Sequence, residues 1–523
     1  MALQHHPENL AALDSAAGYD VCVAGSGFVG TAAALRLARS GRRVLVLESG
    51  NDVATWKTDT ALQDLADYEV EGDTDYPSRK ISARARGGNS NFWTGRADRF
   101  QPVEFEKSPY ADPACPWPVK YEELMPFYFE AERLLNVSAA PFSDLMPPRK
   151  HPVPAPKRND IAGLQNLFAD QGITIDSSPT AKPRKALRFF RLPAEAHDQL
   201  RDHPNIELVS GVTVTRIEHD QQDTSTVTGL TCRLPDGTER RVSARAYLLG
   251  CGGIQTPRLL LLSRSERFPN GLANDSDWVG RGFNEHVGIN LYARFLHNRH
   301  TIWPRHRVGR SHQFVDHFYD QELGAMHPTF IQSYLFYHNL IPEQRLNLGH
   351  QLWRILRNAT QATLLLGCRI EMVPHPDNRV TLSEKLQDRF GDPLPKLTFN
   401  FHDKDRRYLQ ICRELMNQWL DKLGTTSRHE IQMTWPRHHM GTTRMGDDPR
   451  AAVCDRFGRA HGTRNLYLSG CEVFPTGGSL PPTLTGCALA LRTCEHLHQT
   501  LDRPQADAQS ESMIADSAFA QAG

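Results

Sequence analysis

Several things are scarce in this sequence of 523 residues, and each absence excludes something. No apolar run approaches the roughly 20 residues a membrane-spanning helix needs, so no membrane span is expected. Net charge is missing: 60 Lys and Arg balance 60 Asp and Glu. No global field therefore recruits nucleic acid or an anionic membrane surface. Cysteine pairs are missing too. The ten cysteines are scattered, with no CxxC and no CxxCH haem site, which predicts buried free thiols rather than disulfides or a metal centre. The first 18 residues lack a basic n-region, a long apolar core and a twin arginine. No export signal is expected, and the cytoplasm is the expected location.

What is present begins with Asp20 to Glu48, DVCVAGSGFVGTAAALRLARSGRRVLVLE. Val21 to Ala24 is a short apolar run rich in β-branched residues, which predicts a buried parallel strand. Gly25, Gly27 and Gly30 follow at G-x-G-x-x-G spacing. An alanine- and leucine-rich helical pattern runs from Thr31 to Ser40 and stops at Gly41. A second strand, Val44 to Leu47, ends in Glu48. Gly25 permits the tight turn, Gly27 lets backbone approach a pyrophosphate, and Gly30 lets helix pack on strand. The helix N-terminus offers free N–H groups and a positive dipole end to phosphates. Glu48 can accept both hydroxyl hydrogens of an adenosine ribose and disfavours a 2′-phosphate. The unit binds a dinucleotide, FAD or NAD rather than NADP.

Elsewhere the pattern alternates between two styles. Ser82 to Phe100, rich in glycine, asparagine and arginine, predicts an ordered loop. Helices are expected over Tyr121 to Leu135, Asp160 to Gln171, Thr256 to Leu262, Leu346 to Ala359, Asp405 to Leu423 and Leu484 to Leu497. Strands are expected over Asn205 to Val209, Thr213 to Glu218 and Ala246 to Gly250, with a hairpin across Val227 to Val242 turning at Pro235-Asp236-Gly237. Further strands are expected at Asn290 to Leu296, Thr329 to Phe336, Cys368 to Val373, Arg379 to Leu382 and Lys396 to Phe401. The fold class is α/β, α+β overall: a Rossmann-like nucleotide domain interleaved with a domain built on an antiparallel sheet flanked by helices.

Three segments together resemble one family, the glucose–methanol–choline (GMC) oxidoreductases. They are the nucleotide unit; the loop GGNSNFWTG, Gly87 to Gly95, which is similar to the flavin-covering loop of pyranose oxidases; and His438 to Arg492, containing HHMGTTRMG, NLYLSGCEVFPTGG and PPTLTGCALALR. LGCGGIQTPRLLLLS (Leu249 to Ser263), DWVGRGFNEH (Asp277 to His286) and NRVTLS (Asn378 to Ser383) add weaker similarity. The resemblance spans about residues 19 to 498. It implies an FAD-binding domain of residues 15–100, 201–287 and 431–500, and a substrate-binding domain with connectors at 101–200 and 288–430. Residues 1–14 and 502–523 are expected to be flexible termini.

The resemblance further implies an FAD-dependent oxidoreductase. It would oxidise a CH–OH group of a sugar, glycoside or polyol by hydride transfer to flavin, with a histidine base. The alternatives are a dehydrogenase of a non-sugar alcohol with a quinone or protein acceptor, and a flavin-containing lyase. The partners implied are a small alcohol or sugar and an electron acceptor, O2, quinone or protein. His438, in the H-x-x-G-T pattern, is the implied catalytic base, while the adjacent His439 points elsewhere. Gly25, Gly27, Gly30, Glu48, Gly87, Gly88, Asn91, Thr94, Val214, Gly470, Cys471, Pro482 and Thr483 are implied to hold FAD. Two positions depart from the family. Pro481 stands where a second His or Asn usually partners the base. Phe92 stands where pyranose oxidases carry the histidine that tethers flavin, so the FAD is expected to be non-covalent.

Overall fold

The structure is a computed structural model describing residues 7–14, 18–51, 57, 63–65, 67–77, 82–138, 143–145, 161–181, 194–296, 307–332 and 361–502. At its centre Val21–Ala24 pairs in parallel with Val44–Glu48 on one side and Ala246–Leu249 on the other. Leu466–Leu468 and Ile206–Ser210 extend this into a five-stranded parallel sheet. The three central strands are buried along their whole length, which is why they are apolar runs rather than alternating patterns. Helix Phe28–Arg39 lays Ala32, Ala33, Ala34, Leu35, Leu37 and Ala38 into the core. The helix Thr483–Asp502 packs beside it and against Tyr121–Leu134.

The helix after the glycine turn starts at Phe28, three residues before the expected Thr31. Gly30 therefore lies inside the first turn. A Cβ there would sit 1.9 Å from the Gly25 carbonyl oxygen, so only glycine lets the helix start this close to the strand.

The second large layer is a six-stranded antiparallel sheet in the order Thr425–Thr434, Val287–Leu296, Gln361–Ile370, Met326–Gln332, Arg307–Arg310, Asp176–Ser177. Helix Asp403–Lys422 covers it with Tyr408, Leu409, Cys412, Met416, Trp419 and Leu420. Its start is fixed by a reciprocal cap in which the His402 N–H donates to Asp405 Oδ2 at 2.8 Å and the Lys404 N–H to His402 Nδ1 at 3.2 Å.

Several boundaries differ from expectation. Strands Val287–Leu296 and Gln361–Ile370 start earlier than Asn290 and Cys368. Thr425–Thr434 was not expected as a strand at all. It is the outer strand of the sheet, and its exposed stretch Thr426 to Glu430 is polar and charged, with no apolar alternation. The expected helix Leu346 to Ala359, the last residues of the strand Thr329 to Phe336 and residues 503–523 lie outside the described residues. The segment expected to be a flexible leader is anchored from Glu8. Its N–H donates to the Ser210 carbonyl at 2.9 Å, and Ala12 and Leu13 are buried. All ten cysteines are free. Among the described residues, no helix is long and apolar enough to cross a membrane.

Candidate active site

A cavity of about 480 Å³ runs from the edge of the parallel sheet to the face of the antiparallel one. Three helices begin at its wall: Phe28–Arg39, Gly252–Leu262 and Thr483–Asp502. Their N-terminal dipoles add a positive character to the cavity wall where they begin.

Most residues expected to hold the cofactor meet here. Gly25, Gly27, Glu48, Gly88, Thr94, Val214, Cys471, Pro482 and Thr483 line the cavity, as do His438, Phe92 and Pro481. Gly30, Gly87, Asn91 and Gly470 do not line it and act from behind. Gly30 closes helix on strand. The Gly87 N–H donates to Ser26 Oγ at 3.0 Å. Asn91 spends its amide on the Arg86 and Gly88 carbonyls, at 2.8 and 2.9 Å, and so shapes the loop from within. Gly470 has φ +143°, and a Cβ would reach within 2.3 Å of Glu472 Oε2. The loop is held over the helix after the glycine turn by Trp93, whose ring meets Phe28 edge-on with centroids 4.6 Å apart.

Glu48 is committed more deeply than the sequence suggests. Its Oε2 accepts from the Ser26 N–H at 3.0 Å and from Ser26 Oγ at 2.7 Å, and Oε1 accepts from the Gly50 N–H at 3.1 Å. Burial raises its pKa against the pull of these bonds. It braces the glycine turn and also lines the cavity. Glu48→Gln replaces one acceptor by an NH2 that faces N–H donors. A charge-assisted bond contributes about 1.5–3 kcal/mol, so FAD should bind about tenfold to a hundredfold more weakly at ~1.4 kcal/mol per tenfold. Titration of apoprotein with FAD checks this; unchanged affinity would remove Glu48 from the site.

FAD fits the residues present. Gly27 and Gly88 leave an open cradle, the nearest atoms to an added Cβ being 3.9 and 3.7 Å away. Ser90 Oγ and Ser469 Oγ, both on the cavity wall, are buried without a partner among the described residues, as expected of groups that await a polar ligand.

At the far end stands His438. Its backbone N–H donates to the carboxylate of Glu285 at 2.8 and 2.9 Å, and the His286 N–H donates to the same carboxylate at 2.9 Å. Tyr76 donates its hydroxyl to it at 2.8 Å. Glu285 thus pins two histidines from distant segments, and burial pushes its pKa up to about 7. The two rings meet edge-on, with Nδ1 of His286 2.7 Å from Nδ1 of His438.

The protons can be assigned from the partners. His286 Nε2 lies 2.7 Å from the Gly478 carbonyl and 3.2 Å from that of Gly477. Carbonyl oxygens only accept, so Nε2 carries hydrogen. Burial brings His286 down to about 4, so it is neutral and its Nδ1 holds a lone pair. His438 Nδ1 must then donate. Burial, with His286, Arg369, His439 and Arg96, holds His438 well below the usual imidazole range. Neutral His438 is therefore left with a lone pair on Nε2, which has no hydrogen-bond partner among the described residues. His439 packs against Tyr76 and Phe283, with centroids 6.2 and 5.9 Å away, and burial lowers it to about 3. The Cys471 thiol donates to the Pro482 carbonyl at 3.6 Å, and burial pushes its pKa far up, the opposite of an activated nucleophile.

His286 is the functional residue that motif reasoning left without a role. It closes the segment Asp277 to His286, but nothing in that segment says which histidine it will face 152 positions later. Arg96 and Arg369 on the cavity wall were likewise unassigned.

A dinucleotide sheet, a flavin-sized cavity and a poised imidazole define a flavoprotein oxidoreductase. A family profile for FAD dependent oxidoreductases matches residues 20–270, and one for GMC oxidoreductases matches residues 374–490. The chain is 25% identical to the fructose dehydrogenase large subunit of Gluconobacter japonicus, over 91% of this chain and 97% of that one. It is 28% identical to paromamine 6'-oxidase of Streptomyces fradiae, over 91% of each. The crystal structure of pyridoxine 4-oxidase superposes with a TM-score of 0.64 at 19% identity, covering 92% of this chain and 99% of that one, which shows the shared fold. The chain belongs to the GMC oxidoreductase family and is an FAD-dependent oxidoreductase.

Proposed function

We propose that this enzyme oxidises the CH–OH group of a sugar, glycoside or polyol, with His438 as the base that takes the hydroxyl proton. The observation that carries this is the hydrogen-bond chain from the Gly477 and Gly478 carbonyls through His286 to His438, which leaves an unprotonated Nε2 at the cavity. FAD, when bound, supplies the two-electron acceptor. The substrate class is supported by the relatives, which include a fructose dehydrogenase, a paromamine oxidase and a C-glycoside 3-oxidase of Microbacterium trichothecenolyticum. His286 stands beside the base while Pro481 occupies the position where the family usually carries its second His or Asn. An anaerobic screen of sugars, glycosides and polyols tests the reading. Bleaching of the flavin absorption by at least one of them is the expected result, and no bleaching by any would favour a lyase of the same fold.

The flavin is held without a covalent bond in this reading. Phe92 occupies the tethering position and its ring lies under the Arg437 guanidinium, 4.9 Å from the centroid. Acid precipitation of the purified protein should leave the yellow colour in the supernatant. Colour retained in the pellet would show a covalent link.

A further inference from the structure

Buried arginines in this protein are paired as a rule. Arg99 meets Glu132 at 2.8 Å, Arg258 meets Asp388 at 2.7 Å, and Arg310 meets Asp98. Four arginines on the cavity wall have no carboxylate partner among the described residues. Arg84 is engaged by Ser49 and the Leu65 carbonyl, and Arg437 lies over Phe92, which leaves Arg96 and Arg369. Arg96 follows the loop Gly87 to Gly95, held by a backbone bridge to Thr180. Arg369 stands on Gln361–Ile370, directly across from His327 on the neighbouring strand. Both line the cavity together with His438. Neither has a carboxylate partner among the described residues. Arg369 donates only to the carbonyl of its neighbour Cys368, at 3.1 Å.

Arg369 lies at the reacting end of the cavity, in register with Gly288, two residues beyond His286, and the charges of both arginines are among those that depress His438. Burial brings each guanidinium down to about 10, and the charge of Arg96 adds to the effect on Arg369. The acid whose charge reaches Arg369 is Glu285, whose oxygens are already engaged by Tyr76 and two backbone N–H groups. Asp98 is taken by Arg310. Two half-buried cations that face a cavity without counter-ions favour a ligand that supplies negative charge. Arginine forks suit the planar, multi-oxygen geometry of carboxylate and phosphate.

We propose that Arg96 and Arg369 form an anion-recognition subsite beside His438, and that the substrate is an alcohol bearing a carboxylate or a phosphate. This rests on the reading of His438 as the base of alcohol oxidation.

The test uses the holoenzyme with four probes: D-glucose, D-gluconate, D-glucuronate and D-glucose 6-phosphate. Two readouts are taken for each, the perturbation of the oxidised flavin spectrum on binding and anaerobic flavin bleaching. At least one anionic probe should perturb the spectrum at a concentration at least about tenfold below that needed for D-glucose. The two carboxylates and the phosphate ester tell the anion types apart. In Arg96→Met and Arg369→Met the preference for anion over D-glucose should fall by about tenfold to a hundredfold each, with the charge-conserving Arg369→Lys falling less. Retained FAD in each variant shows that the fold is intact. The inference is overturned if no anionic probe binds better than D-glucose, or if both variants weaken neutral and anionic probes equally. An anion that binds without bleaching leaves the subsite standing and counts against oxidation at His438 instead.

Discussion

His438→Ala should retain its fold and its FAD yet lose anaerobic flavin reduction by substrate by at least about 10²-fold, since general-base catalysis contributes about 10²–10⁴-fold. The size of the loss follows from the surroundings. Pro481 offers no side-chain acceptor, and His439 is turned into the Tyr76 and Phe283 rings. His286 Nε2 is bound to two carbonyls, and its Nδ1 faces the ring that the substitution removes. The pH dependence has a definite sign. Burial and neighbouring charge depress the His438 pKa, so the base is already unprotonated at neutral pH. The rate of reduction should be flat through neutral pH and fall only as pH drops below the usual imidazole range. His439→Ala should cost far less. If His438→Ala reduces its flavin at nearly the wild-type rate, the base lies elsewhere.

The parts of this enzyme legible in the sequence are those encoded by neighbours in the chain. Gly25, Gly27, Gly30 and Glu48 fall within one strand–turn–helix–strand unit, so spacing alone specifies their joint geometry. The buried parallel strands were readable because burial on both faces demands apolar runs. Thr425–Thr434 was not, because its position as the outer strand of the sheet and the exposed side chains of Thr426 to Glu430 remove the alternation that marks a strand. The active-site contacts depend on tertiary approach. His286 reaches His438 only because Glu285, Asn284 and Met440 stitch two segments together, with Asn284 and Met440 exchanging backbone hydrogen bonds at 3.0 and 2.9 Å. Arg369 gave no local signal either: a lone arginine in an apolar strand becomes informative only when its cavity and its missing partner are seen.

Replacing His286 by leucine should slow flavin reduction by about tenfold to a hundredfold without comparable weakening of substrate binding. The leucine leaves the His438 Nδ1–H without its acceptor in a buried setting, an unmade bond that costs about 1–3 kcal/mol. The ring escapes that cost by rotating or by moving its proton to Nε2, and either change removes the lone pair from the cavity. At ~1.4 kcal/mol per tenfold, the surviving population of the competent tautomer falls accordingly. His286→Gln should restore much of the rate, because its amide N–H2 can donate to the Gly478 carbonyl while its oxygen accepts from His438. The pH profile carries a second signature. His286 helps to depress the His438 pKa, so the acid limb of the leucine variant should move upward. A leucine variant with a near wild-type rate and an unmoved acid limb would make His286 a packing residue and leave the His438 tautomer to be set by the bound substrate.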